Sequence, residues 1–168
     1  MTETGQRLLD LLAELDIQPE ILSHPPVRTV EDAEAYWGDI RGQHTKNLFL
    51  KDAKGAMFLL TVPADRKVDL KKLPQLLDCK RLSFGSAERM MERLQTIPGS
   101  LGPLSMIADT DHQVRFAIDA ALLQGDYITM HPMDNTQTFS ISPDDLRKFL
   151  HALGVEPLVV TFTDAETV

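Results

Sequence analysis

The stretch "GQHTKNLFLKDAKG", residues 42–55, decides the fold of this chain together with the apolar run that follows it. "TKNLFLKD" and "AMFLLTVP" are rich in residues that favour strands, and the short "AKG" between them is a hairpin signal. The first strand opens with Lys46 and Asn47 beside the apolar Leu48, Phe49 and Leu50. This pattern alone allows Lys46 to be either a solvated strand end or a cation held at the rim of a pocket.

Outward from this hairpin, the chain mixes short strands with amphipathic helices. Helices are predicted at "GQRLLDLLAELDI" with Thr4 as cap, at "VEDAEAYW" with Thr29 as cap, at "VDLKKLPQLLD" with an interruption at Pro74, at "SAERMMERLQTI", and at "PDDLRKFLHAL" between Ser142 and Gly154. Further strands are predicted at "EILSH", "RLSF", "LSMIAD", "QVRFAID", "YITMHP", "TQTFSI" and "PLVVTF". Hairpins without a regular strand–helix alternation predict an α+β fold with a mixed, largely antiparallel sheet. With no long linker, residues 1–168 are expected to form one domain.

The composition is that of an ordinary globular protein, with 43% hydrophobic and 25% charged residues. Neither a secretion signal nor a run of about 18 apolar residues is present, so no membrane partner is expected. Cys79 is the single cysteine, which excludes an internal disulfide and a cysteine zinc cluster. These features favour a cytoplasmic location.

The charge is distributed unevenly along the chain. The net charge of −8 argues against broad non-specific binding of nucleic acid, which needs many basic side chains to neutralise phosphates. Residues 65–81 nevertheless hold six basic residues against three acidic ones. The basic residues are Arg66, Lys67, Lys71, Lys72, Lys80 and Arg81. They form either a solvated helix face or a surface that docks one end of a polyanion.

Common catalytic motifs are missing from the sequence. It contains no G-x-S-x-G elbow, no P-loop and no G-x-G-x-x-G, and its five histidines are scattered without an H-x-x-x-H pair. The remaining candidates are Lys46 with Asn47, the glycine loop from Gly99 to Pro103, and His131. A glycine loop lets a backbone approach a ligand and offer amide donors, although the same letters also describe a plain turn. His131 is equally compatible with a histidine whose ring nitrogens are bonded within the fold.

Taken together and in order, these features resemble a known family. The segments "HPPVRTVEDAEAYW", "HTKNLFLKDAKG", "KRLSFGSAERM", "PGSLGP" and "HPMDNTQTFSISPDDLRKFL" are similar to the YbaK/prolyl-tRNA synthetase editing-domain superfamily over roughly residues 18–160. Within it, the chain most resembles the free-standing trans-editing proteins that deacylate alanine mischarged on proline tRNA. The resemblance implies a sheet or barrel flanked by helices, as in the YbaK/aminoacyl-tRNA synthetase-associated domain.

The resemblance also implies particular site residues. The family's essential lysine falls on Lys46 with Asn47 beside it, the glycine of its G-x-x-x-P loop on Gly99, and its pocket histidine on His131. Lys46 is expected to hold the terminal adenosine, the loop amides to face the ester carbonyl, and His131 to shape the amino-acid pocket. Expected substrate contacts are Asn47, Ser100, Leu101, Gly102 and Asn135.

The implied partners are aminoacylated tRNA, bound by its 3′ acceptor end, and prolyl-tRNA synthetase as a second protein partner. No cofactor and no metal are expected, because an aminoacyl ester is already activated and the vicinal ribose hydroxyl is thought to assist the attacking water. Three alternatives stay open at this point. The amino acid removed is cysteine instead of alanine; the chain is a non-catalytic module that binds tRNA or a synthetase; or, least in keeping with the charge, it binds nucleotides or DNA.

Overall fold

The computed structural model describes residues 2–163 except Trp37 and Asp39. The described helices are α1 (Glu3–Glu14), α2 (Val30–Glu34), α3 (Pro74–Leu77), α4 (Ala87–Leu94) and α5 (Pro143–Ala152), with 3-10 helices at Pro103–Ala108 and Ala120–Gln124. The strands are β1 (Glu20–Ser23), β2 (Thr45–Asp52), β3 (Met57–Pro63), β4 (Leu82–Phe84), β5 (Val114–Asp119), β6 (Ile128–Met130), β7 (Gln137–Ile141) and β8 (Leu158–Val160). Within the described part of the chain, no helix is long and apolar enough to cross a membrane.

The β2–β3 hairpin organises the larger of two sheets. β2 and β3 pair antiparallel with Lys46 opposite Val62 and Leu50 opposite Phe58. The complete order is β4-β2-β3-β5-β8, in which β5 pairs parallel with both β3 and β8. A smaller antiparallel sheet has the order β1-β7-β6. The prediction of a mixed α+β fold with a largely antiparallel sheet flanked by helices is confirmed.

Strand β3 reads as a continuous apolar run because both of its faces are buried. Met57 and Leu59 face the main core, which is closed by α1, α4 and α5. Phe58, Leu60 and Val62 face a second apolar cluster under α3. Helices α3 and α5 therefore lie on opposite faces of the five-stranded sheet.

The two sheets meet along a short seam beside the start of β2. Gln43 forms an isolated parallel bridge with Ile128 of β6. The Thr45 hydroxyl then donates a hydrogen bond of 2.8 Å to the carbonyl oxygen of Thr129. This seam brings the opening of β2 next to the end of β6.

Two local predictions are wrong. "LSMIAD" was expected as a strand but lies mostly in the 3-10 helix Pro103–Ala108, because Pro103 fixes a helical start and the whole segment is buried. Thr4 does not cap α1: the Thr2 side chain accepts from the Gly5 amide, while Thr4 is buried and bonds Gln95.

The remaining helix signals are largely confirmed. Thr29 and Ser142 cap α2 and α5 as expected. The helix predicted over residues 68–78 is wrong for residues 68–73, because Pro74 does not interrupt a longer helix but begins the short α3. Helix α2 ends at Glu34, before the predicted end at Trp37, and Trp37 itself lies outside the described residues.

Candidate functional site

A pocket opens where the start of β2 faces the end of β6. Its volume is about 140 Å³. It is lined by Val27, Arg28, Thr29, Ala33, Thr45, Lys46, Asn47, Gly99, Leu101, Thr129, Met130, His131 and Thr138. The fold thus brings Lys46, Gly99 and His131, which are far apart in sequence, to one cavity.

Lys46 and Asn47 enter this pocket from the β2 side. The Asn47 side-chain oxygen accepts a hydrogen bond of 2.6 Å from the Thr61 hydroxyl across the hairpin, which fixes the amide plane and leaves the NH₂ group for other partners. Partial burial lowers the pKa of Lys46, and nearby Asp65 opposes that shift. The strand end is therefore a half-buried cation beside an oriented amide.

The Gly99 loop forms another wall and needs glycine at that position. Gly99 has φ +98°, and a Cβ there would lie 2.6 Å from the Val27 carbonyl oxygen and 3.0 Å from Arg28 Cα. Only a residue without a side chain lets the loop approach the 27–29 segment so closely. The loop amides are not equivalent: Ser100 N–H donates to Ile97 and Gly102 N–H to the Ser105 hydroxyl. Among the described hydrogen bonds, none engages the amides of Gly99 or Leu101, so these two can serve a ligand.

Three predicted substrate contacts lie outside the pocket lining. Ser100 is buried and faces a neighbouring cavity behind the loop. Gly102 lies next to the His131 backbone, with its amide already used. Asn135 donates from its side chain to the Val27 carbonyl at 3.0 Å, and its own carbonyl accepts from Val27 N–H. Asn135 therefore holds the 27–29 wall in place from outside the cavity.

His131 follows β6 directly and is largely buried at the pocket. Its Nδ1 lies 2.8 Å from the Gln137 carbonyl oxygen, which can only accept, so Nδ1 carries the proton and donates. Burial is the main cause of a lowered pKa, and neighbouring His24 acts in the same direction. The ring is therefore neutral at pH 7, with Nε2 available as an acceptor.

The basic segment, residues 65–81, begins near the pocket end of β2 and ends near its far end. Ala64, the residue before the segment, donates its N–H to the His44 carbonyl next to the start of β2. The end of the segment is tied to the hairpin turn, because Lys80 N–H donates to Asp52. These two ends of β2 are separated by about 23 Å at the usual rise per residue. Lys67, Lys71, Lys72, Lys80 and Arg81 are exposed.

Arg66 differs from the other five basic residues. Its guanidinium pairs with the buried Asp119 carboxylate and lies 5.0 Å from the centre of the Phe162 ring. Its charge is thus compensated within the fold, and we do not assign it to a docking surface.

Sequence reasoning missed several lining residues. Val27 and Arg28 reach the pocket from the segment before α2 and Ala33 from α2 itself, for which the sequence offered no chemical motif. Thr129 and Thr138 had a usable signal: in "YITMHP" and "TQTFSI" polar residues alternate with apolar ones, which places them on the face opposite Met130 and Phe139. Across the described residues, no group of three or more His, Cys, Asp or Glu side chains is arranged to hold a metal ion.

The family model for the aminoacyl-tRNA editing domain matches residues 24–149. That range includes β2, the glycine loop and His131, and so it covers the whole pocket. The chain belongs to the aminoacyl-tRNA editing-domain family.

Similar proteins agree with this assignment. A mouse protein named prolyl-tRNA synthetase associated domain-containing protein 1 is 36% identical over 96% of this chain and 98% of its own length. The prolyl-tRNA editing protein ProX of Acetoanaerobium sticklandii is 33% identical over 90% of this chain and 93% of its own. A solved structure described as a candidate trans-editing enzyme for prolyl tRNA synthetase has a TM-score of 0.69 at 19% identity, covering 97% of this chain and 99% of that one; at this identity it supports the fold alone.

Proposed function

We propose that the protein is a trans-editing hydrolase that removes alanine from mischarged proline tRNA. The observation that carries this proposal is the single pocket that gathers Lys46, Gly99 and His131 in a family of aminoacyl-tRNA editing domains. Synthetases discriminate against a smaller amino acid by only about 1–3 kcal/mol per methylene, so a second site must hydrolyse what the first wrongly accepts.

The size of the pocket supports a small amino acid. Its volume of about 140 Å³ is close to that of a cavity of about 150 Å³ that holds one benzene molecule. Apolar Val27, Ala33 and Leu101 contribute to its walls. Alanine and cysteine both fit this description, and alanine is preferred here on the family resemblance.

The reaction is hydrolysis of the ester between the amino acid and the terminal ribose. Water attacks the carbonyl carbon, the bond from that carbon to the ribose oxygen breaks, and the products are free amino acid and tRNA with a restored hydroxyl. We assign Lys46 to the phosphate or ribose of the terminal adenosine. The amides of Gly99 and Leu101 stabilise the oxyanion, because preorganised donors act most strongly where negative charge develops.

Among the described residues that line the pocket, none is a carboxylate that could accept the proton of the attacking water. The neighbouring ribose hydroxyl, positioned by Lys46 and Asn47, therefore orients and assists the water. Residues 1–168 act in this proposal as one editing domain, in the cytoplasm, with prolyl-tRNA synthetase as a protein partner that supplies mischarged tRNA.

Single-turnover deacylation tests the proposal. Wild-type protein is expected to release alanine from alanyl-tRNA for proline much faster than the uncatalysed reaction, and Lys46→Ala to lower that rate by about 100-fold, a typical loss when substrate positioning fails. Undiminished cleavage by Lys46→Ala would remove the lysine from the mechanism. A panel with cysteinyl- and prolyl-tRNA identifies the preferred amino acid, and cleavage of none of the three would overturn the hydrolase assignment.

A chelator is expected to leave the rate unchanged. Loss of activity with a chelator and its return with zinc would contradict the metal-free route.

A further inference from the structure

The wall of the pocket made by β6 and β7 carries two hydrogen-bond acceptors side by side. β6 and β7 pair with Ile128 opposite Ile141 and Met130 opposite Phe139. Continuing this register by one residue sets His131 opposite Thr138, and directly opposed positions of an antiparallel pair carry Cβ atoms about 4.5–5.5 Å apart. Both residues line the pocket.

The first acceptor is Nε2 of His131. The Gln137 carbonyl holds the proton on Nδ1, as described above. Nε2 therefore keeps its lone pair, and no residue in the described part of the chain bonds to it.

The second acceptor is the Thr138 hydroxyl oxygen, whose proton is directed away by His24. His24 Nδ1 lies 2.9 Å from the Pro25 carbonyl oxygen, so in the neutral ring Nδ1 donates there and Nε2 accepts. The atom at Nε2 is Thr138 Oγ1, at 2.8 Å, which in this tautomer donates its proton to His24. The oxygen of Thr138 is left with lone pairs alone for any further partner.

The His24 ring is itself held in place. It stacks on Tyr36 with ring centres 5.5 Å apart, and its edge meets His131 at 6.2 Å. Two fixed hydrogen bonds and a stacked ring leave it little freedom to release Thr138.

We propose that His131 Nε2 and Thr138 Oγ1 together bind the α-amino group of the aminoacyl ester, with His24 as the positioning residue for Thr138. This inference rests on the hydrolase function proposed above. An α-amino group offers two or three N–H donors, whereas the described residues of the pocket lining include no carboxylate to meet it. Lys46 and Arg28, the two basic side chains of the described lining, repel an ammonium and favour its placement at the neutral acceptors. The substrate class is thus esters of amino acids with a free α-amino group.

Lactyl-tRNA for proline is the matched probe, because it replaces the amino group of alanine by a hydroxyl with almost no change in size. Each rate is divided by the rate of the same ester without enzyme. Wild-type protein is expected to deacylate the alanyl ester at least about 10-fold faster than the lactyl ester, because the lactyl ester lacks the charge-assisted hydrogen bonds of the amino group. Equal normalised rates for the two esters would overturn the inference while leaving the hydrolase function intact. Cleavage of neither ester would instead contradict the hydrolase function itself.

Variants of Thr138 and His24 locate the effect. Thr138→Val is expected to slow the alanyl ester about 10-fold and the lactyl ester less than about twofold, and Thr138→Ser to restore the wild-type ratio, since it restores the hydroxyl. His24→Phe keeps a ring against Tyr36 but frees the Thr138 proton, so the alanyl-to-lactyl ratio should fall. A Thr138→Val variant that slows both esters equally would show a structural role only and would contradict the acceptor pair.

Discussion

The two halves of strand β2 have opposite environments although both pair with β3 in one register. Phe49 and Leu50, in the central half, are 3% and 0% exposed, and β4 covers the outer edge of the strand from Leu50 onward. Residues 45–47, the opening half, have no β4 partner and line the pocket. The candidate site thus lies where the sheet loses a strand and the side chains of the hairpin border a cavity.

The strongest test of this comparison replaces one residue in each half of β2 by alanine, in two separate variants. Leu50→Ala is expected to lower the free energy of unfolding by about 2–5 kcal/mol, as for other fully buried leucines. Lys46→Ala should change stability by less than about 0.5 kcal/mol while abolishing most activity. Urea unfolding of both variants, with deacylation rates per folded molecule, checks this pair. A large loss of stability in Lys46→Ala would show that the opening half serves the fold.

Gly99→Ala tests the loop that closes the pocket over the opening half. The added Cβ meets the Val27 carbonyl at 2.6 Å and the backbone is in the left-handed region, so the loop must move. We expect deacylation to fall by about 100-fold, the loss associated with a misplaced oxyanion donor.

Gly102→Ala is the matched control for Gly99→Ala. Its Cβ would find only ordinary contacts, at 3.6 Å from the His131 backbone and 3.9 Å from Asn47 Nδ2, in an extended backbone. A change within about threefold is expected from the modest effect of unstrained substitutions. Equal losses of deacylation in both variants would mean that neither the positive φ of Gly99 nor its close contact with Val27 explains why the loop needs glycine there.

Reversing Lys71 and Lys72 to glutamate tests whether the basic segment extends the opening half toward the tRNA. We expect affinity for proline tRNA to fall by about 10-fold. Its dependence on salt should become shallower, because a protein that contacts fewer phosphates releases fewer counterions when it binds. The same reversal of Arg147 and Lys148 on α5, on the opposite face of the five-stranded sheet, serves as control. Binding unchanged by the first pair, or weakened equally by both, would contradict the assigned surface.

The pH dependence of stability should be the smallest effect. Burial lowers the pKa values of His131 and His44 in the folded protein, so below the ordinary value of 6.5 the unfolded chain binds protons that the folded chain does not. The contribution of these two histidines to the free energy of unfolding is therefore fully present above pH 6.5 and is lost as the pH falls from 6.5 through their lower pKa values in the folded protein. Urea unfolding at pH 7.5 and 5.5 measures the decline, which a His44→Gln, His131→Gln variant should reduce. A wild-type stability that rises on acidification would contradict these directions.

Local sequence signals predicted the elements better than their assembly. The Thr29 and Ser142 caps and the β2–β3 hairpin follow from short-range chemistry, and the structure has them where the sequence places them. "LSMIAD" was misread because a short buried apolar run looks alike in a strand and in a 3-10 helix. Thr4 was misread because either threonine fits the capping rule.

Sequence alone determined the α+β class and the family resemblance, and it placed Lys46 and His131 beside strand ends, because periodicity, turn chemistry and motif order are local properties of the chain. Only the tertiary structure decided that Lys46, Gly99 and His131 share one cavity, that Arg66 is compensated by Asp119, and that Asn135 supports the wall from outside. The reason is that a pocket depends on the distances between secondary-structure elements. The seam between the two sheets sets those distances through contacts between residues 80 or more positions apart in the sequence.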